Sequence, residues 1–235
     1  MTIEAILFDK DGTLLDFHAT WLPVYGAAAR RFADGDPLLA ERLLVAAGYD
    51  PSRGVIAAGS LFAAGNNEEI AACFAEVLGV APTADMVSQL DSAFTAGGAD
   101  SAVAVADLPE TLGSLKARGY RLGVATSDSA AGAAASLTPF GVLPLFDFVA
   151  GYDSGHGVKP GPGMVLGFCR HLGVAPAAVA VVGDNSHDME MARAAGAALR
   201  IGVLTGTSSR NDLAAHADHV LDSISGLEAL LDSLV

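Results

Sequence analysis

Asp9-Lys10-Asp11-Gly12-Thr13 puts two carboxylates two residues apart, directly after the apolar run Ile6-Leu7-Phe8. Side chains on an extended chain alternate with a period of two, so Asp9 and Asp11 point the same way. Like charges that close repel, and one is driven neutral unless a cation sits between them. A hard divalent ion with oxygen ligands, most simply Mg2+, resolves the conflict. Gly12 then lets backbone N–H groups approach an anion closely. The rival reading is a surface turn, since Asp-Gly is a common hairpin signal. A hairpin leaves unexplained why two aligned aspartates end a hydrophobic strand.

The elements that must position these carboxylates follow from the apolar pattern. A short apolar run that stops at polar residues and glycine reads as a buried strand reaching the ligand-binding edge of an open parallel sheet. From about residue 17 to 100 the chain then reads as helix, around Trp21–Ala33, Leu38–Ala47, Glu68–Leu78 and Ala84–Ala96. Asn67 is a candidate cap of the third helix, and no strand is expected in this block. After Ser101 strands are predicted at Arg121–Ala125, Leu145–Ala150, Val179–Val182, Ala198–Leu204 and His219–Leu221. Helices lie between them: Pro109–Arg118, one running to about Leu137, Pro162–His171, Met189–Ala195 and a last one over Gly226–Leu234. That alternation gives right-handed β-α-β units and a parallel sheet. The expected fold is α/β: a doubly wound parallel-sheet core from residues 1–16 and 101–235. A small all-helical domain, residues 17–100, is inserted after the first strand.

Composition narrows the partners. The net charge of −14 speaks against nucleic acid and against an anionic membrane surface. It also gives no long-range steering toward phosphate esters, so any anion site must be built locally. Cys73 and Cys169 lie far apart without Cys-x-x-Cys spacing and read as buried free thiols of a reducing cytoplasm. The N-terminus lacks a basic region, which argues against a signal peptide, and no stretch approaches the ~20 apolar residues that span a bilayer. A soluble, cytoplasmic protein, monomer or homodimer, is expected.

Polar residues recur where the other core strands stop: Thr126 and Ser127, then Lys159 in Gly157-Val158-Lys159-Pro160, then Asp184 and Asp188 in Gly183-Asp184-Asn185-Ser186-His187-Asp188. Each has a plainer reading. Thr126 and Ser127 could cap the helix that begins near Ser129. A lone lysine is most often solvated, and Asp188 stands three residues after Asn185 as in a capping box. Capping and anion or metal contact can coexist, because a helix N-terminus is itself an anion site. Taken together and in order, the four groups resemble the motifs of the haloacid dehalogenase superfamily, whose inserted cap would be the helical block. The wording of the first motif and the helical cap are most similar to phosphoglycolate phosphatase-like members.

That resemblance implies roles. Asp9 would be the nucleophile toward phosphorus, and Asp11 the acid that protonates the leaving oxygen and then activates water. Its function needs a proton, and repulsion from Asp9 favours one. Mg2+ would be held by Asp9, the Asp11 backbone carbonyl and Asp184, with Asp188 orienting metal waters. Gly12, Thr126, Ser127 and Lys159 would bind the phosphoryl oxygens of a small phosphate ester. Asn185 departs from the Ser or Thr of many relatives. A dehalogenase has no use for Asp11, and a phosphonatase needs a cap lysine, whereas residues 17–100 contain none. A phosphomutase, or an idle binding module of the same fold, stays open. Candidate substrate contacts in the cap are His18, Trp21, Arg53, Asn66 and Asn67. Arg53, alone among the block's arginines in a Pro- and Gly-bounded turn, is the candidate for a substrate carboxylate.

Overall fold

The computed structural model describes residues 2–234. Its centre is β1 (Ala5–Phe8), every residue of which is buried. The helical block follows: α1 (Phe17–Phe32), α2 (Pro37–Ala47), a hairpin of β2 (Tyr49–Asp50) and β3 (Val55–Ile56), α3 (Leu61–Ala64), α4 (Asn67–Leu78) and α5 (Ala84–Ser101). The remaining elements alternate: α6 (Leu108–Ala117), β4 (Arg121–Ala125), α7 (Ala130–Leu137), β5 (Phe148–Ala150), α8 (Gly163–Leu172), β6 (Val179–Gly183), α9 (Ser186–Ala195), β7 (Leu199–Val203), α10 (Arg210–Ala214), β8 (His219–Leu221) and α11 (Leu227–Ser233).

Six strands form one sheet in the order β5-β4-β1-β6-β7-β8, each pair parallel. The chain fills one side of β1 with β4 and β5, then crosses to the other side for β6, β7 and β8. This reversal opens a crevice beyond the carboxyl end of β1, where open α/β sheets bind ligands. Strands buried on both faces need continuous apolar runs. In β1 and β6 the alternation sends Ile6, Phe8, Ala180 and Val182 to one face and Ala5, Leu7, Val179 and Val181 to the other. The helical block has its own hydrophobic cluster, built from Phe17 to Phe94 around Leu43, Phe74 and Leu90.

Several details differ from expectation. The helical block does contain strands, but β2 and β3 have two residues each, too short for any periodic signal. Asn66, not Asn67, caps α4: its side chain accepts from Glu68 N at 2.9 Å and Glu69 N at 3.1 Å, and Glu69 returns a bond to Asn66 N. Helix α9 begins at Ser186, three residues earlier than its apolar pattern, because the Asn185–Asp188 capping box starts it in a polar first turn. β5 is shorter than expected, since Pro144 sits in a tight turn over Leu143–Leu145.

Candidate active site

The carboxyl ends of β1, β4 and β6 and the loop after β5 converge on one buried polar cluster. Lys159 Nζ donates to Asp9 Oδ1 at 2.5 Å and to Asp188 Oδ1 at 2.6 Å. Lys159, Asp9 and Asp188 are each less than 8% exposed. Burial works against the charge on Lys159, yet Asp188 and Asp9 outweigh it and move its pKa up. Burial is also the main cause that lifts Asp9 to about 7; Lys159 opposes the rise, and Asp188 and Asp11 add to it. Asp184 is raised well above the usual carboxylate range by burial first and then by Asp9 and Asp188. Uncompensated charge of this kind is costly and collects at functional sites.

Carboxylate oxygens of Asp9, Asp184 and Asp188 lie within 4.8 Å of one another. Asp184 Oδ2 accepts from Thr207 N at 3.0 Å, but its Oδ1 is buried without any hydrogen-bond partner. A buried oxygen left unpaired beside a second carboxylate fits a hard divalent cation better than it fits an empty core. Asp188, by contrast, has both oxygens engaged, Oδ1 by Lys159 and Oδ2 by Asn185 N at 3.2 Å. This suits it to orient its neighbours rather than to ligate. The metal set expected from sequence, Asp9, Asp184 and the Asp11 carbonyl with Asp188 outside it, therefore fits the donors present.

Gly12 has φ +88°, and a Cβ there would lie 2.7 Å from the Asp184 carboxylate and from Gly206 Cα. Its N–H is spent inside the turn, donating to Leu15 O at 2.7 Å, so Gly12 supplies room and not its own N–H. Thr126 is buried, and its Oγ1 accepts from Asp128 N at 3.1 Å, leaving the hydroxyl proton to donate. Among the described residues the Ser127 N–H has no acceptor. Neither residue caps α7; Ser129 does, accepting from Gly132 N at 3.0 Å.

Asp11 Oδ1 accepts from Lys10 Nζ at 2.8 Å and from the Trp21 indole N–H at 2.6 Å. Lys10 is wholly buried, 3.1 Å from Asp128 and 4.9 Å from the Trp21 ring centroid. Trp21 thus ties α1 to the first motif. Asp9, Asp11, Thr126, Ser127 and Asp128 line one cleft with aromatic residues of the helical block and with Asn67. Arg53 is not brought to this cleft. It is exposed in the β2–β3 turn, where Asp50 accepts from Ser52 N and from Arg53 N, and a guanidinium there is readily solvated. His18 accepts from Ile56 N at 3.3 Å and Asn66 caps α4, so both serve the block's own structure.

Three contributors escaped the sequence reading. Lys10 is the first, and its place between two aspartates at the end of an apolar strand is the signal for it. Asp128, two residues past Thr126 at the same strand end, is the second. The third is Thr205-Gly206-Thr207, beyond β7: Thr205 Oγ1 donates to Gly12 O at 2.6 Å, and a Cβ on Gly206 would lie 1.8 Å from Asp184 Oδ2. Polar residues and glycine at a fifth strand end carried the same signal as the other four.

The haloacid dehalogenase-like hydrolase family matches residues 3–196. A protein named "Probable phosphatase IndB" from Dickeya dadantii is 42% identical over 117 residues, 49% of this chain and 50% of that protein. The phosphoglycolate phosphatase of Nitrosococcus oceani is 31% identical over 157 residues, covering 64% of this chain and 68% of the relative. The chain thus aligns with half of the first relative's length and about two thirds of the second's. The crystal structure of a predicted phosphoglycolate phosphatase from Haemophilus somnus superposes with a TM-score of 0.73 at 20% identity, over 98% of this chain and 99% of that one. The chain belongs to the haloacid dehalogenase-like hydrolases.

Proposed function

We propose, from that membership, that this protein is a Mg2+-dependent phosphatase acting on a small phosphate monoester through an aspartyl-phosphate intermediate. The observation that carries the reading is Lys159 bridging Asp9 and Asp188, with the unpaired Asp184 Oδ1 alongside. Asp9 attacks phosphorus in line with the leaving alkoxide, forming one P–O bond as the other breaks. Lys10 and Trp21 both donate to Asp11 Oδ1, which leaves Oδ2 to carry the proton given to the leaving oxygen. Asp11 then takes a proton from the water that hydrolyses the acyl phosphate, and Asp9 is regenerated. The Thr126 hydroxyl, the Ser127 N–H and the Lys159 ammonium bind the equatorial oxygens, where charge collects in a loose transition state. Asp9, Asp184 and the Asp11 carbonyl would hold Mg2+, which would supply charge neutralisation on the phosphoryl group.

A relative named phosphoglycolate phosphatase makes phosphoglycolate one metabolite to assay, alongside phosphate monoesters of uncharged alcohols. A mutase would also have to retain a bisphosphate, and no arginine of the helical block lines the cleft to hold a second phosphate. Among the described residues no helix is long and apolar enough to cross a membrane, and the free thiols of Cys73 and Cys169 support a reducing cytoplasm. An aryl phosphate assay tests the activity. Turnover should depend on Mg2+, stop with chelation, return when Mg2+ is restored, and fall at least about 100-fold in Asp9→Asn. Full activity after exhaustive chelation, or in Asp9→Asn, would overturn the reading.

A further inference from the structure

The wall that the helical block gives the cleft carries no charge. Phe17, Trp21, Tyr25, Phe62, Ile70 and Phe94 line it. Tyr25 stacks on Phe62 with ring centroids 3.9 Å apart and on Trp21 at 5.3 Å, while Phe94 meets Trp21 and Tyr25 edge-on at 5.7 and 5.4 Å. The polar atoms of these rings are already committed. The Trp21 N–H goes to Asp11, and the Tyr25 hydroxyl donates to Phe62 O at 2.9 Å. What faces the cleft is therefore ring surface. Asn67 is the exception. Its Nδ2 donates to Asp91 at 2.7 Å, which leaves Oδ1 without a donor among the described residues.

Cations are missing from this wall. Arg30, Arg31, Arg42 and Arg53 are all exposed, and none lines the cleft. The two lysines at the cleft floor are taken, Lys10 by Asp11 and Asp128 and Lys159 by Asp9 and Asp188. Five carboxylates, the four in those pairs (Asp9, Asp11, Asp128 and Asp188) together with Asp184, stand around two ammonium groups. A phosphoryl group with a divalent cation can be accommodated there. A second anion on the same substrate would enter the aromatic wall unpaired, and an unpaired charge among apolar groups is heavily penalised.

We propose that, granted the phosphatase reading above, the substrate is the phosphate monoester of a neutral alcohol. It carries a flat apolar or aromatic group for the ring wall and a hydroxyl or N–H for Asn67 Oδ1. Phosphorylated carboxylic acids and bisphosphates are the substrates this cleft rejects.

Two pairs of substrates test this on the unaltered protein with Mg2+: phosphoglycolate against its uncharged amide, and para-carboxybenzyl phosphate against its uncharged carboxamide. Within a pair size is similar and charge differs. The neutral member of each pair should have a kcat/KM at least ~100-fold higher, with much of the gap in KM. Benzyl phosphate should also exceed the small amide. A generic aryl phosphate serves as the control for activity itself. If that control is hydrolysed but a charged member equals or beats its neutral partner, or neither pair is used, the inference is overturned and the phosphatase reading survives. If nothing is hydrolysed, including the control, both fall.

Discussion

The carboxyl edge of the sheet and the wall of the helical block face each other across a single cleft, and they are built from opposite chemistry. At the sheet edge nearly every side chain is ionisable, buried and held by others: Asp9, Lys159 and Asp188 form one chain of ion pairs, with Asp184 beside it. On the facing wall most side chains are aromatic and uncharged, the polar atoms of Trp21 and Tyr25 are held in structural bonds, and Asn67 is the one amide among them. Charge at the edge costs folding energy, since Asp9 and Asp184 are both held against burial. Ring packing in the block returns it, being apolar area removed from water. The division matches two tasks. Phosphoryl transfer needs fixed charges around phosphorus whatever the leaving group, and selection of the leaving group needs only a surface complementary to it.

The strongest way to break that division is Lys159→Met. It removes the counter-charge of two buried carboxylates, so kcat should fall at least ~1000-fold on neutral and charged substrates alike. Leaving one partner of a buried ion pair alone should also cost about 3–5 kcal/mol in denaturant unfolding of the chelated protein. A loss confined to one substrate class would place Lys159 in specificity instead. Trp21→Phe cuts the hydrogen bond from the wall to Asp11 while keeping a ring. Loss of a bond to a charged group should lower kcat roughly 10-fold, and substrates with poor leaving groups should suffer most because they need Asp11 as an acid. A loss in KM alone would mean that Trp21 acts only as wall.

The smallest effect lies at the opposite, amino edge of the sheet. There Asp147 accepts from Lys116 at 2.9 Å and from Leu122 N at 3.0 Å, and pairs with Arg121. Burial pushes its carboxyl up, but these partners outweigh it and hold it down at about 2. A depressed pKa contributes stability that is complete above the unfolded value, near ~4, and is lost as pH falls through the folded value. Asp147→Asn should therefore cost about 1 kcal/mol at neutral pH, and the difference from the parent should shrink between about pH 4 and pH 2, with kcat unchanged. Charge at this edge stabilises, whereas charge at the other edge is what the proposed function assigns to catalysis. An activity loss in Asp147→Asn would blur that distinction.

Much of the sheet edge was legible in the sequence because buried parallel strands are apolar runs that end abruptly. Ile6-Leu7-Phe8 before Asp9 and Val179–Val182 before Asp184 announce both the strand and where it stops. The block's wall was less legible. Trp21 stands in the sequence as a candidate substrate contact, but its N–H meets Asp11 only because α1 turns straight back over the first motif. The hairpin of Tyr49–Asp50 and Val55–Ile56 is too short to show alternation, and it carries Arg53 outward. Contacts such as Thr205 to Gly12 join residues distant in sequence, and no local pattern encodes them.

The most direct test of nucleophilic catalysis by Asp9 is to find the phosphoryl group on it. In Asp11→Asn an aryl phosphate, whose leaving group needs little protonation, should still phosphorylate the protein, while water activation is lost and the adduct accumulates. Acid quenching followed by peptide mass spectrometry should place one phosphoryl group on Asp9, absent when Asp9→Asn is added. Continued hydrolysis without a phosphorylated protein, or a phosphoryl group on any other residue, would contradict the assignment.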